Sequence, residues 1–318
     1  MAAALAMGTP LSPTASYPHL RRGIVLSAIL AAAPVMGMAA TYSLVVSGLG
    51  GEAQYEQRFR DQSQKIAAAA QRLTGDEATT IMLVGADATR DAVRRSFREL
   101  GARLTADDQL IVTLLGHGSF DGEQYRFNLP GPDMTEQDLG NLLDALKVGQ
   151  ILIVNATSAS GAVLARWQRP GRILVTATKS GGERTATRFA QFWVEALEGT
   201  QADLNKDDIV TAAEAFDYAS RKVGDSFKAD ALLATEHARL EGTGADRFQV
   251  ARLGAAARVT TDPHLNELFA QRVRIERELE GVKQRKASLT SDAYYDELES
   301  VLVRLATLQR DIDAQTVN

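Results

Sequence analysis

The stretch from Gln150 to Ala162 reads QILIVNATSASGA, an uninterrupted apolar run that ends in the hydroxyl side chains of Thr157, Ser158 and Ser160 and a glycine, Gly161. A short run of this kind, bounded by small polar residues, suits a strand buried on both faces in the interior of a parallel sheet. The pattern recurs at TYSLVV (41–46), TTIMLVG (79–85), QLIVTLLG (109–116) and GRILVTAT (171–178). Between these runs lie stretches of helical period: YEQRFRDQSQKIAAAAQRL (55–73), TRDAVRRSFREL (89–100), TEQDLGNLLDAL (135–146) and ERTATRFAQFWVEAL (183–197). Thr89 and Thr135 stand where helix N-caps belong, the second with Asp138 three residues on as a capping box. Repeated strand and helix units of this length predict a doubly wound α/β domain over 41–254, its sheet mainly parallel with helices on both faces. Ligands in such sheets bind beyond the carboxyl ends of the strands, so the functional residues are expected there.

Two strand ends carry chemistry. In LLGHGSFDG (114–122), His117 follows an apolar run between Gly116 and Gly118, which leaves the backbone amides exposed beside an imidazole. In the opening stretch, Ser158 is followed by Ala159, Ser160 and Gly161, small enough for close approach of a substrate or a helix N-terminus. One end thus offers a base and the other a candidate nucleophile, with Asn155 close by to help shape the site. The alternatives are a turn histidine and hydroxyls that cap the following helix.

Composition removes several function classes. The chain of 318 residues has a formal net charge of −5 and no basic stripe with interleaved aromatics, so nucleic acid is not an expected partner. It contains no cysteine, which excludes disulfides, thiolate metal sites and a thiol nucleophile.

Taken in order, these motifs resemble the legumain and caspase-like cysteine peptidases, most strongly the legumain branch and its bacterial relatives. The resemblance runs through GHGSFDGEQYRFNLPGPDMTEQDL, then the strand ending in Ser160 and Gly161, then VTATKSGGE, and spans about residues 41–250. It implies a caspase-like fold and a peptide or protein substrate, with no required cofactor. Aligning Ser160 and Gly161 with the family's closing Ser-Gly pair puts Ser158 at the position of the catalytic cysteine; a shift of one residue puts Thr157 there instead. By the same resemblance His117 handles the proton, the N–H groups of Gly118 and Ser158 hold the oxyanion, Arg90 matches the region of a pocket arginine, and Thr178, Ser180 and Glu183 follow a pocket-lining strand. A serine hydroxyl must lose its proton to a base during attack, where a thiol is partly ionised at neutral pH. An active serine peptidase using Ser158 and His117 and an inactive, peptide-binding pseudopeptidase therefore both stand open.

Three further segments carry expectations. At the amino terminus, Arg21 and Arg22 precede GIVLSAILAAAPVMGMAA (23–40), which ends in small residues; residues 1–40 are expected to direct export to the periplasm with cleavage near Ala40, the alternative being a membrane anchor. DLNKDDIVTAAE (203–214) offers Asp203, Asn205, Asp207 and Glu214 at the ligand positions of a calcium loop, which makes a structural calcium the candidate metal, against the alternative of an acidic helix cap. Within 262–316, Leu265, Leu268, Ile275, Leu279 and Val282, and then Leu298, Val301, Leu305, Leu308 and Ile312, recur at near-heptad spacing. That spacing predicts a helical hairpin or coiled coil, suited to self-association or a partner protein.

Overall fold

The structure is a computed structural model that describes residues 40–258 and 262–316. The segment expected to direct export lies outside the described residues apart from Ala40. No described helix is long and apolar enough to cross a membrane.

The first half of the α/β domain alternates strictly: β1 (Thr41–Ser47), α1 (Ala53–Thr74), β2 (Thr80–Val84), α2 (Arg90–Arg103) and β3 (Gln109–Leu115). A small antiparallel sheet follows, β4 (Gly118–Phe120), β5 (Tyr125–Phe127) and β6 (Met134–Thr135), and then α3 (Glu136–Asp144). The chain returns to the main sheet with β7 (Gln150–Asn155), α4 (Leu164–Trp167), β8 (Arg172–Thr176) and α5 (Phe189–Glu198). It closes with β9 (Ile209–Thr211), α6 (Ala212–Ala229), β10 (Arg239–Glu241), β11 (Gln249–Arg252) and α7 (Gly254–Arg258). The main sheet has the order β10-β8-β7-β3-β1-β2, and all its pairings are parallel except β10 with β8.

The apolar runs are continuous because both faces of the sheet are covered. Leu44, Val46, Leu110, Val112, Leu114, Ile151 and Ile153 pack with α2, α3 and α4, including Phe97, Leu139 and Trp167. Their strand neighbours Val45, Ile111, Leu152 and Val154 turn to the other face and pack with Ile66 of α1, Trp193 of α5 and Tyr218 of α6. This two-residue alternation inside an unbroken hydrophobic run marks strands with no solvated side. The fold is the doubly wound α/β domain that the spacing predicts.

Two local differences have clear causes. The helix expected at 183–197 begins only at Phe189, because Glu183 is occupied elsewhere: its carbonyl accepts the Ala159 N–H (2.8 Å) and its carboxylate binds Lys179 and His237. The start is supplied instead by Glu236, whose carboxylate accepts the N–H groups of Arg188 (2.8 Å) and Phe189 (2.9 Å). The antiparallel edge strand β10 is only three residues long and only partly buried, too little pattern to read in one dimension.

The C-terminal region is a helical hairpin, α8 (Pro263–Gln284) and α9 (Ser291–Thr316), closed by Val282, Tyr294 and Val301 toward its tip. At its base Leu265, Leu268, Phe269, Leu308 and Ile312 pack on Ile209 and Ala256 of the α/β domain. Arg272, 5% exposed, crosses the same junction. Its guanidinium reaches the Asp207 carboxylate (2.9 Å), the Asp207 carbonyl (3.0 Å) and Glu276 (2.9 Å). Replacing Arg272 with alanine strands the half-buried Asp207 carboxylate, which is expected to cost about 3–5 kcal/mol. Thermal denaturation of Arg272→Ala should show a clearly lowered Tm, while Arg274→Ala, which breaks an exposed pair with Glu267, should stay within about 1 kcal/mol of the parent.

Candidate functional site

The site follows from one register. In the β3–β7 pair Leu114 lies level with Asn155, the last residues paired, so the two strands leave the sheet side by side, with His117 three residues past one end and Ser158 three past the other. Contact at this level is direct. A Cβ on Gly118 would lie 2.4 Å from the Ser158 carbonyl oxygen, 2.6 Å from the Tyr125 ring and 2.7 Å from Thr157 Oγ1, so only glycine lets β4 lie on the turn after β7.

His117 is half-buried and held from three directions. Its ring meets Tyr55 (centroids 5.1 Å apart) and Phe59 (5.5 Å) of α1 edge-on, and its Nε2 lies 3.1 Å from the carbonyl oxygen of Gly50, in the loop after β1. A carbonyl only accepts, so Nε2 carries a proton and Nδ1 is the nitrogen left outside this bond. The Gly50 loop is itself tied down, since the Gly50 N–H donates to Glu56 of α1 (2.8 Å). Neither Gly50 nor the Tyr55 and Phe59 pair was singled out from sequence; the signals present were a glycine-rich turn, GLGG (48–51), directly after a strand and two aromatics one helical turn apart.

The hydroxyl cluster divides into different jobs. Thr157 Oγ1 donates to Asn155 Oδ1 (2.8 Å), Asn155 Nδ2 donates to Tyr125 Oη (3.2 Å), and Tyr125 Oη closes the ring on Thr157 Oγ1 (2.6 Å). All three residues are buried, and burial pushes the Tyr125 hydroxyl up to about 12, so it stays protonated and the ring stays closed. Ser160 and Thr178 form a second unit: Thr178 N–H donates to Ser160 Oγ (3.1 Å), the two hydroxyls are 3.2 Å apart, and Gly161 N–H donates to Thr178 Oγ1 (2.9 Å). This clasp draws segment 178–183 onto the turn 158–161, and a Cβ on Gly161 would lie 2.2 Å from the Ser180 amide nitrogen. Among the described residues, Ser158 alone of the cluster has neither its hydroxyl nor its N–H in a hydrogen bond. It is 2% exposed, and the next residue, Ala159, has a left-handed backbone (φ 55°), a conformation that costs energy without a glycine.

A second amide, that of Gly118, makes no bond to β5. His117 carbonyl accepts the Asn128 N–H (3.1 Å), which makes 117 and 128 a hydrogen-bonded pair and Gly118 with Phe127 the open pair that follows. The Gly118 N–H therefore turns away from β5.

The remaining candidate residues lie as follows. Ser180 is exposed on the lip, where its hydroxyl accepts the Gly182 N–H (3.3 Å). Arg90, at the start of α2, turns to Asp138 of α3 (3.0 Å), shared with Arg94 (3.1 Å). In the 203–214 loop, the Asp203 carboxylate accepts the N–H groups of Asp207 and Asp208, Asn205 accepts that of Asp207, and Glu214 forms a capping box with Thr211. Asp207 bridges to Arg272, and burial pushes its carboxyl up to about 6 against that positive charge. Among the described residues no group of three or more His, Cys, Asp or Glu side chains is arranged to hold a metal ion.

No protein-family model matches this chain, and no curated protein does. Solved structures similar to it include protein GSU0716 from Geobacter sulfurreducens, at 12% identity and a TM-score of 0.44 over 67% of this chain and 97% of that one. Caspase-1 from Spodoptera frugiperda aligns at 12% identity and a TM-score of 0.42, covering 68% of this chain and 91% of its own. The drICE structure aligns at 11% identity and a TM-score of 0.41, covering 64% and 87%.

The packing of the turn can be tested by adding single methyl groups. Gly118→Ala and Gly161→Ala each force a backbone shift and should lower stability by about 1–3 kcal/mol or more, whereas Gly182→Ala meets only a serine hydroxyl at 3.4 Å and should be nearly neutral; denaturant midpoints compare the three. A pH titration tests the capping carboxylate. Burial pushes Glu236 from its ordinary 4.5 up to about 7 although the Arg188 and Phe189 amides favour the charged form. The folded state thus holds that proton more tightly, so its contribution is complete below about 4.5 and is lost as pH rises through 7. Unfolding free energy should fall across that window by on the order of 3 kcal/mol, and Glu236→Gln should flatten the curve.

Proposed function

We propose that this chain is an exported, legumain-like peptidase homologue that cleaves peptide bonds with Ser158 in place of a cysteine. The observation that carries the reading is that two adjacent strands end at one level, one followed by a histidine held by its Nε2 and the other by a serine whose hydroxyl and amide make no hydrogen bond. Gly118 is packed directly against that serine. In the reaction Ser158 Oγ attacks the scissile carbonyl while its proton passes to Nδ1 of His117, and the tetrahedral oxyanion rests on the N–H groups of Ser158 and Gly118. A donor in such a pair is typically worth about 3 kcal/mol. His117 then returns the proton to the leaving amine as the C–N bond breaks, and a water activated by His117 hydrolyses the acyl-Ser158 ester. The Thr157, Asn155 and Tyr125 ring and the Ser160–Thr178 clasp keep the site rigid, and Ser180 lies on the lip for the bound peptide.

A second reading, a peptide-binding pseudopeptidase, is favoured by one feature: Ser158 Oγ makes no hydrogen bond to His117 in the resting protein, where a hydroxyl needs its base in contact during attack. The purified full chain, assayed against a broad peptide library, separates the two. A peptidase loses on the order of a thousandfold or more in kcat/KM on Ser158→Ala and on His117→Ala, with folding retained. An inert parent whose Ser158→Cys variant cleaves identifies the pseudopeptidase, since that one-atom change restores a nucleophile that ionises near neutral pH. Absence of cleavage and of peptide binding in both proteins overturns the peptidase reading.

A further inference from the structure

A second histidine lies at the same end of the sheet. Asn155 of β7 is level with Thr176 of β8, and Thr176 with Arg239 of β10. Ser158 and His237 lie past the ends of the two strands that flank β8, three residues beyond Asn155 and two before Arg239. On the opposite side His117 is one strand away.

Glu183 fills the space between. Its carbonyl accepts the Ala159 N–H (2.8 Å), one residue past Ser158, and its carboxylate, 11% exposed, accepts the Lys179 N–H (2.9 Å). The same carboxylate binds His237 twice, through the backbone N–H (3.1 Å) and through ring Nδ1. Burial opposes ionisation of Glu183, but hydrogen bonds from Lys179 and His237 hold its carboxyl below the ordinary value. An ionised carboxylate only accepts, so Nδ1 carries a proton and Nε2 is the nitrogen left outside the pair. That ring is 45% exposed, so it is open to a bound ligand. The charged and titratable groups around it are Glu183 and Lys179, whose Nζ is 3.6 Å from the Glu183 carboxylate, with Glu236 on its own segment and Arg188, paired with Asp230, beyond.

A carboxylate that orients an imidazole through Nδ1 is the pairing that acid–base chemistry on a hydroxyl employs. The pair at His117 has a neutral carbonyl in that place. We propose that Glu183 and His237 form a second acid–base pair of this site, which presents Nε2 to the peptide bound over the 158–161 turn and sets the pH dependence of reactivity at position 158. The inference rests on the assignment of Ser158 as the reacting position. It adds a second imidazole, on the far side of that position from His117.

Ser158→Cys provides a reporter that needs no turnover. The probe is iodoacetamide, and the rate of alkylation of this thiol, the only one in the chain, is followed from pH 5 to 9. The expected result is that adding His237→Asn, which keeps a donor toward Glu183 but does not titrate, removes one inflection from the profile and changes the rate near neutral pH by about threefold or more. Glu183→Gln should displace the same inflection. A profile unaltered by His237→Asn and altered only by His117→Ala overturns the inference and leaves the proposed function standing. A profile that responds to His237→Asn and not to His117→Ala supports the inference and removes His117 from the role of base. Loss of response to both overturns the two together. Melting curves of each variant are compared with the parent, and if His237→Asn melts early, His237→Gln is scored on the same criterion.

Discussion

The parallel pairing of β3 with β7 governs the rest of the molecule. Its register ends both strands at one level in the middle of the sheet, where helices cover both faces and only the strand ends remain open. Residues far apart in sequence, His117 and Ser158, follow adjacent strand ends because Leu114 pairs with Asn155, and Gly118 packs against the Ser158 carbonyl. A slip of one residue in either strand would exchange the two faces, sending Val112 and Leu114 toward α1 and Ile111 toward α2. Hydrophobic packing therefore holds the register, and the register holds the site.

Within that frame, the hydroxyls after β7 do structural work that leaves one of that cluster, Ser158, free. A hydroxyl sealed in a protein interior is costly unless both its donor and acceptor capacities are met, and Thr157, Ser160 and Thr178 meet theirs with each other, Asn155, Tyr125 and nearby amides. Ser158 falls between two satisfied units, on a turn strained at Ala159, with Gly118 packed against its carbonyl. The turn is rigid because its neighbours are committed.

The acidic loop at 203–214 follows the same economy in another place. Its carboxylates close turns onto their own amides, cap α6 and receive Arg272 from α8, so the loop joins the hairpin to the α/β domain. The apolar seam of Ile209 and Ala256 against Leu265, Phe269 and Ile312 extends that junction. Spacing alone could not show that Arg272, 65 residues further on, reaches this loop, because that partner is a property of the folded chain.

The elements of the main sheet were legible because each strand is buried on both faces and reads as an apolar run, and because Thr89 and Thr135 cap α2 and α3 with local hydrogen bonds. His117 and Ser158 could be named as candidates because glycine and small residues at a strand end are a local signal. The delayed start of α5 was not, since it depends on Glu183 and Glu236 bonding across 47 to 54 residues of sequence separation. Nor could sequence find the Gly50 carbonyl, which any residue possesses and only the β1–β3 pairing brings to His117. By itself, then, the sequence determined which segments are strands and helices and which side chains could carry chemistry, since periodicity and capping act over a few residues. Only the tertiary structure decided which hydroxyl of the cluster after β7 stays free, which oxygens meet the rings of His117 and His237 and that Arg272 reaches the acidic loop, because those depend on partners that long-range packing alone brings within reach.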